Sequence, residues 1–370
     1  MPVTRSWPGI RPRARRSRRK HRLRNSPAYA DPAIATRRGF VTRQAGGHWS
    51  TGFVRLDTMS VRVPDSVWVL DSVRPVRHGG PRMKVLASGL RFPEGPIALD
   101  DGSVLVVEIE GGALTRVEAD GTVSPIHCGG GPNGAALGPD GAVYVCNNGG
   151  LAFKTEDGIR FPYWMAEGNE GGYVQRVDLS TGGVDVVFTH VDGTPIGNLN
   201  DVVFDEQGSC YIVDTTRGVL YYADPVAGTI GIAEEGLEYP NGMGLSPDGT
   251  KLYASETYSG RVLAWDVKAP GTLGARTELY STGGEHHWDG LAVDGAGNVC
   301  VANLEKSGIT AISPNGEVLQ EFVTSEHDPY VTNICFGGPD GDTAFICSAG
   351  RGILYSLQWP WPGLRLNFAR

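Results

Sequence analysis

At 370 residues, with 40% hydrophobic residues and a formal net charge of -8, the chain is long enough for one large core or two ordinary ones. The charge is unevenly placed: residues 1–82 hold 18 of the 33 Lys/Arg and 4 of the 41 Asp/Glu, which leaves 15 and 37 for residues 83–370. So acidic a segment does not suit nucleic-acid phosphates, and no apolar run approaches the roughly 20 residues that span a bilayer, so neither nucleic acid nor membrane is expected as a partner.

Residues 1–82 contain the run Arg15-Arg16-Ser17-Arg18-Arg19-Lys20-His21-Arg22 and little apolar periodicity. Such a stretch buries too little surface to offset its ordering entropy and reads as a disordered basic segment. Nucleic-acid binding, an Arg-rich organellar presequence and upstream sequence read in from an early start codon all fit its composition. The third reading rests on Met83-Lys84-Val85-Leu86, which opens a compact repeat pattern directly, and the segment is assigned no function. The basic start is followed by no signal-peptide core, so a soluble, cytoplasmic protein is expected. The six cysteines are spread through apparent strands without a C-x-x-C pair and read as small buried hydrophobes.

From residue 83 onward the chain repeats itself. Six segments share one grammar, in which a Glu, Asn or Asp is followed eight residues later by glycine: Glu94 to Gly102, Asn133 to Gly141, Asn200 to Gly208, Asn241 to Gly249, Asp289 to Gly297 and Asn333 to Gly341. Each reads as a short apolar strand, a Pro-Asp-Gly type turn and a second strand, with a third strand after a further glycine and a fourth in most units. Six units of four antiparallel strands predict an all-β fold, a six-bladed β-propeller over residues 83–370. The spacing of the turn glycines is even except in the second interval. Its surplus, Gly150 to Gly172, carries Phe153, Phe161, Tyr163 and Trp164 and reads as a loop shaping an active-site mouth.

Equivalent positions in successive blades lie at similar depth around a propeller axis. Glu94, Asn133, Asn200, Asn241, Asp289 and Asn333 should therefore ring one end of the channel, and every one offers an oxygen. Oxygen donors suit one divalent cation: calcium first, with magnesium, manganese or zinc as alternatives. Turn capping by Asn and Asp is the competing explanation, and recurrence in six of six units at one register favours metal binding at Glu94, Asn241 and Asp289, then at Asn200. Six residues after each turn glycine stand Glu108, Asn147, Asp214, Ser255, Asn303 and Cys347, read as ends of inner strands that bond between blades. Asp201 intrudes where four other units have glycine, and could bind a substrate hydroxyl or hold a proton. His286 and His287 read as solvent-exposed.

The motifs Phe92-Pro-Glu94-Gly-Pro, Asn200-Asp201, Tyr239-Pro-Asn241-Gly-Met-Gly-Leu-Ser-Pro-Asp-Gly and Trp288-Asp289-Gly-Leu-Ala-Val-Asp resemble, in order, the regucalcin and gluconolactonase family. The resemblance implies metal ligands at Glu94, Asn241 and Asp289, with Asn200 a further ligand or neighbour, and metal-dependent hydrolysis of a small lactone such as an aldonolactone. It implies Asp289, before Asp201, as the base for the attacking water, and Asn133 and Asn200 as contacts to substrate hydroxyls. Paraoxonases and diisopropyl fluorophosphatase look like distant relatives, which keeps an organophosphate-type ester open. Animal regucalcins carry a sugar-holding arginine where this chain has Asn198. A non-catalytic binding propeller and a propeller of the strictosidine-synthase type are the other readings, and a monomer or weak homo-oligomer is expected.

Overall fold

The computed structural model describes residues 83–369; the expectations of disorder and of an upstream start-site origin for residues 1–82 lie outside the described residues. Among these there is no helix. Strands form where β-branched and aromatic residues run between left-handed glycines. All six predicted turn glycines, Gly102, Gly141, Gly208, Gly249, Gly297 and Gly341, have φ between 66° and 91°, a backbone that side chains resist.

Six antiparallel sheets follow one another along the chain. Blade 1 is Pro93–Ala98, Val104–Glu108, Ala113–Val117 and Val123–His127. Blade 2 begins with Pro132–Leu137 and Val143–Asn147 and resumes with Tyr173–Val177 and Val184–Phe188. Blades 3, 4 and 5 open with the inner strands Leu199–Phe204, Pro240–Leu245 and Trp288–Val293. Blade 6 consists of Val331–Gly337, Thr343–Ser348 and Ile353–Gln358, and its outer strand is Lys84–Ser88 from the start of the described chain. The ring is thus closed by a strand that the repeat grammar left unassigned.

The core is a set of layers between blades. A separate buried cluster fills each of the six junctions, from blades 1 and 2 round to blades 6 and 1. The second strands are sandwiched on both faces, which is why Val104–Glu108 and Cys210–Asp214 are apolar up to their last residue and buried throughout. The outer strand Val123–His127, wetted on one side, is mostly exposed. Five cysteines are buried in these layers, Cys128 is half-buried, and all six are free thiols.

Two segments decorate the ring. The insert in blade 2 is an antiparallel hairpin, Leu151–Glu156 and Ile159–Met165, rather than the loop expected. At the other end of the inner strands, the C-terminal segment crosses the turns. The amide of Gly295 (blade 5) donates to Pro362 O at 2.7 Å, and that of Gly363 donates to Gly341 O (blade 6) at 2.9 Å. Asn367 Nδ2 donates to Phe204 O (blade 3) at 3.0 Å, Arg365 pairs with Asp100 (blade 1), and Leu364 and Leu366 line the channel cavity. Among the described residues this segment crosses the turn end of the channel, and the ring of oxygen donors stands at the opposite end, where the inner strands begin. No helix among the described residues is long and apolar enough to cross a membrane.

Candidate active site at the open end of the channel

The register between inner and second strands slips at the predicted ring position in all six blades. Each slip re-aims one side chain, the usual effect of a bulge beside a functional site. The residue after the ring position is glycine in four blades because neighbouring inner strands nearly touch there. A Cβ on Gly95 would stand 2.9 Å from Asn133 O and from Ala135 N. One on Gly242 would collide with the backbone at Gly290 and Leu291, and one on Gly290 with Asn333.

Glu94 is buried. Its Oε2 accepts hydrogen bonds from Gly95 N (2.6 Å) and from Asn333 Nδ2 (2.8 Å), while Asn333 Oδ1 accepts from Ile334 N (2.8 Å). Asn333 therefore braces Glu94 through its Nδ2, while its Oδ1 is anchored by the backbone of its own strand. Asn241 Nδ2 donates to Thr257 Oγ1 at 3.1 Å, but its Oδ1 is buried with no hydrogen-bond partner. Asp289 keeps an accessible edge, and its backbone oxygen accepts from Ser255 Oγ at 2.6 Å. Asn133 and Asn200 make no side-chain hydrogen bond among the described residues. Asp201 Oδ1 accepts from Val202 N (2.8 Å) and its Oδ2 from Met243 N (2.9 Å), tying the inner strands of blades 3 and 4 together.

Burial, then the charge of Asp289, holds the Glu94 carboxyl well above its ordinary range. Burial also raises Asp289 to about 7, with Asp201 adding to the effect and bonds from Asn241 and Gly290 opposing it. Asp201 is raised to about 7 by burial against the same kind of opposition. Carboxyls so placed are short of positive charge, and Asn241 Oδ1 is a buried acceptor short of a donor. A hard dication would meet both needs, so the donor set fits one. Among the described residues no three His, Cys, Asp or Glu side chains converge at metal-binding distances, so two carboxylates and neutral amides would share it.

The second tier differs from expectation. Its residues end the second strands, not the inner ones, and four blades use this place to clip the backbone just ahead of the ring residue. Glu108 accepts from Arg91 N at 2.5 Å, Asn147 from Gly131 N at 2.9 Å, Asp214 from Gly197 N at 2.7 Å and Glu256 from Glu238 N at 2.7 Å. In blade 4 counting from the turn glycine picked out Ser255, but the pairing of Pro240 with Glu256 shows that one extra residue lengthens this turn. His287 is partly exposed and bonded to Glu305 at 2.5 Å.

Sequence comparison matches residues 92–350 to the family described as SMP-30/Gluconolactonase/LRE-like region. A gluconolactonase of Zymomonas mobilis is 26% identical over 306 residues, covering 72% of this chain and 79% of that one. A pentonolactonase of Haloferax volcanii is 34% identical over 161 residues, 41% of this chain and 53% of that one. Among solved structures, a gluconolactonase of Xanthomonas campestris superposes with a TM-score of 0.62 at 20% identity, covering 76% and 90% of the two chains. Regucalcin of Agrobacterium tumefaciens, described as calcium-binding, gives 0.59 at 16% identity, covering 77% and 97%. With most of the propeller matched, this chain belongs to the SMP-30/gluconolactonase/LRE-like family.

Proposed function

We propose that the protein hydrolyses a small lactone at the open end of its channel, using a divalent cation held by Glu94, Asn241 and Asp289 with Asn200 beside them. The observation that carries this reading is the buried Asn241 Oδ1, unpartnered in a ring with two electrostatically linked carboxyls. Relatives named gluconolactonase, pentonolactonase and 6-deoxy-6-sulfogluconolactonase support the lactone. The calcium-binding regucalcin fold supports the cation, with calcium ahead of zinc, manganese and magnesium.

When bound, the cation would polarise the lactone carbonyl and steady the negative charge that develops on its oxygen. The side chains do the rest. Asp289, the ring carboxylate with an accessible edge, takes a proton from the attacking water and returns it to the ring oxygen as the acyl C–O bond breaks, giving the hydroxy acid. Asp201 has both oxygens engaged by backbone amides, so it positions strands and leaves the base role to Asp289. Asn133 and Asn200, whose amides make no other bond, orient the substrate. The same reading takes the protein as a cytoplasmic monomer or weak oligomer.

The test is to strip the protein with chelator and assay lactone hydrolysis as Ca²⁺, Mg²⁺, Mn²⁺ or Zn²⁺ is restored. Glu94→Gln and Asp289→Asn should each lower kcat about 100-fold or more while circular dichroism stays that of wild type. Metal-independent turnover, or wild-type rates in both variants, would remove the ring from the mechanism.

A further inference from the structure

Beside the ring of donors aromatic side chains pack on one another. On one side the blade 2 hairpin leans over blade 1 to blade 6, where Arg160 N donates to Gly350 O at 2.8 Å. There Phe161 stacks on Tyr330, with centroids 5.9 Å apart and planes 4° from parallel, and Phe92 packs between Phe153 (5.0 Å) and Tyr330 (5.9 Å). On the other side Tyr258 packs on Tyr239 at 4.7 Å and edges onto His287 at 5.6 Å. Phe92 and Tyr239 enter the strands bearing Glu94 and Asn241 with φ of 60° and 58°, left-handed values that cost a bulky residue about 1 kcal/mol or more. Strain of this kind persists where the surroundings enforce it, and it recurs here at one register in two blades.

Tyr258 and Tyr330 stand on blades 4 and 6, flanking the blade 5 strand that carries Asp289. Tyr258 follows Thr257, whose hydroxyl accepts from Asn241 Nδ2 at 3.1 Å, and Tyr330 packs at 5.9 Å on Phe92, two residues ahead of Glu94, so both rings stand close to the ring of donors. Tyr258 is nonetheless 45% exposed, an aromatic face left to solvent beside the reacting centre. The charged groups nearby are taken up by one another: Arg160 pairs with Glu110 and His287 with Glu305. Asn198, at the place where the resemblance implies a sugar-holding arginine, turns its amide to Met165 Sδ of the hairpin at 3.1 Å. Beyond the ring amides of Asn133 and Asn200, which hold the lactone core, a polyhydroxylated substituent finds few free polar groups at this rim, whereas a flat apolar one finds two aromatic walls.

Building on the lactonase reading, we infer that Tyr258 and Tyr330 determine specificity by gripping the non-reacting part of the substrate, and that the preferred substrates are lactones bearing an aryl or alkyl group rather than bare aldonolactones. The rings act by contact area and offset stacking, the interaction that aromatic pairs favour.

The experiment compares metal-loaded full-length protein on two six-membered lactones, dihydrocoumarin and glucono-δ-lactone. Wild type should show kcat/KM at least about 10-fold higher on dihydrocoumarin. Tyr258→Ala and Tyr330→Leu should raise KM for dihydrocoumarin about 10-fold with kcat little changed, and alter glucono-δ-lactone kinetics less than about 2-fold. Tyr258→Phe and Tyr330→Phe, which keep the rings, should restore the wild-type preference. A wild-type preference for glucono-δ-lactone, or equal losses on both substrates, would overturn the inference. Inertness to both lactones would overturn the lactonase reading instead. Calorimetric titration with 3-(2-hydroxyphenyl)propanoate then decides the rim, with binding weakened in Tyr258→Ala upholding the grip and absence of binding in wild type refuting it.

Discussion

The side chains of the ring are where they are because of what is missing beside them. Gly95, Gly134, Gly242 and Gly290 let six inner strands converge until backbone meets backbone. Gly242→Ala should therefore cost about 1–3 kcal/mol, the usual range for an overpacked site, read as a lowered denaturant midpoint with an unchanged slope. Where Asp201 replaces the glycine, its carboxylate crosses to Met243 N and becomes a strut. The cysteines offer an independent check on burial. Desolvation holds Cys146, Cys300 and Cys347 well above the ordinary thiol range, and pushes Cys335 up to about 12. Mass spectrometry after iodoacetamide treatment of the folded protein should find Cys128, the half-buried one, modified first, and the others only after denaturation.

Elements of this fold are set by turns, and the turns titrate. Asp101, Asp120, Asp178 and Asp248 accept hydrogen bonds within their own turns, which holds their carboxyls below the ordinary range, Asp248 at about 2. With the folded value below the unfolded one, these bonds stabilise fully above about pH 4 and are lost as pH falls through the folded value. The thermal midpoint should accordingly drop between pH 4 and pH 2, and drop less steeply in Asp248→Asn. The strands and turns were legible from the chain because alternating burial and left-handed glycine both leave a local mark. Glu94, Asn241 and Asp289 could be picked out as candidates, with the other three ring positions, because one register recurs in six units. Bulges leave no such mark: nothing in Glu94-Gly-Pro announces that the ladder slips there. Nor does counting from Gly249 find Glu256, since one added turn residue shifts the clip. The repeat placed Asn333 in the same ring as Glu94, 239 residues away, but which ring members bond directly is set by ring closure and side-chain geometry that no repeat records.

That closure is a property of the whole propeller. Lys84–Ser88 pairs with Ile353–Gln358, joining the two ends of the described chain in one sheet. A chain beginning at Gly89 would leave Ile353–Gln358 as an open edge and the junction around Ala87 and Leu354 uncovered. It should unfold at a lower denaturant midpoint and associate with rising concentration in size-exclusion chromatography, since an unpaired edge templates pairing with another copy. The fold class was readable without this strand because five units carry their own fourth strand. The missing sixth was not, for a single strand far from its unit has no repeat to align with.

Because the C-terminal segment crosses the turn end of the channel, the proposed chemistry has the ring end as the doorway for both reactant and product. Under the proposed chemistry the two differ in charge: a neutral ring goes in and a carboxylate anion comes out. Residues 83–370 carry 37 acidic against 15 basic side chains, so the net field of this segment disfavours the product anion and leaves the neutral lactone unaffected.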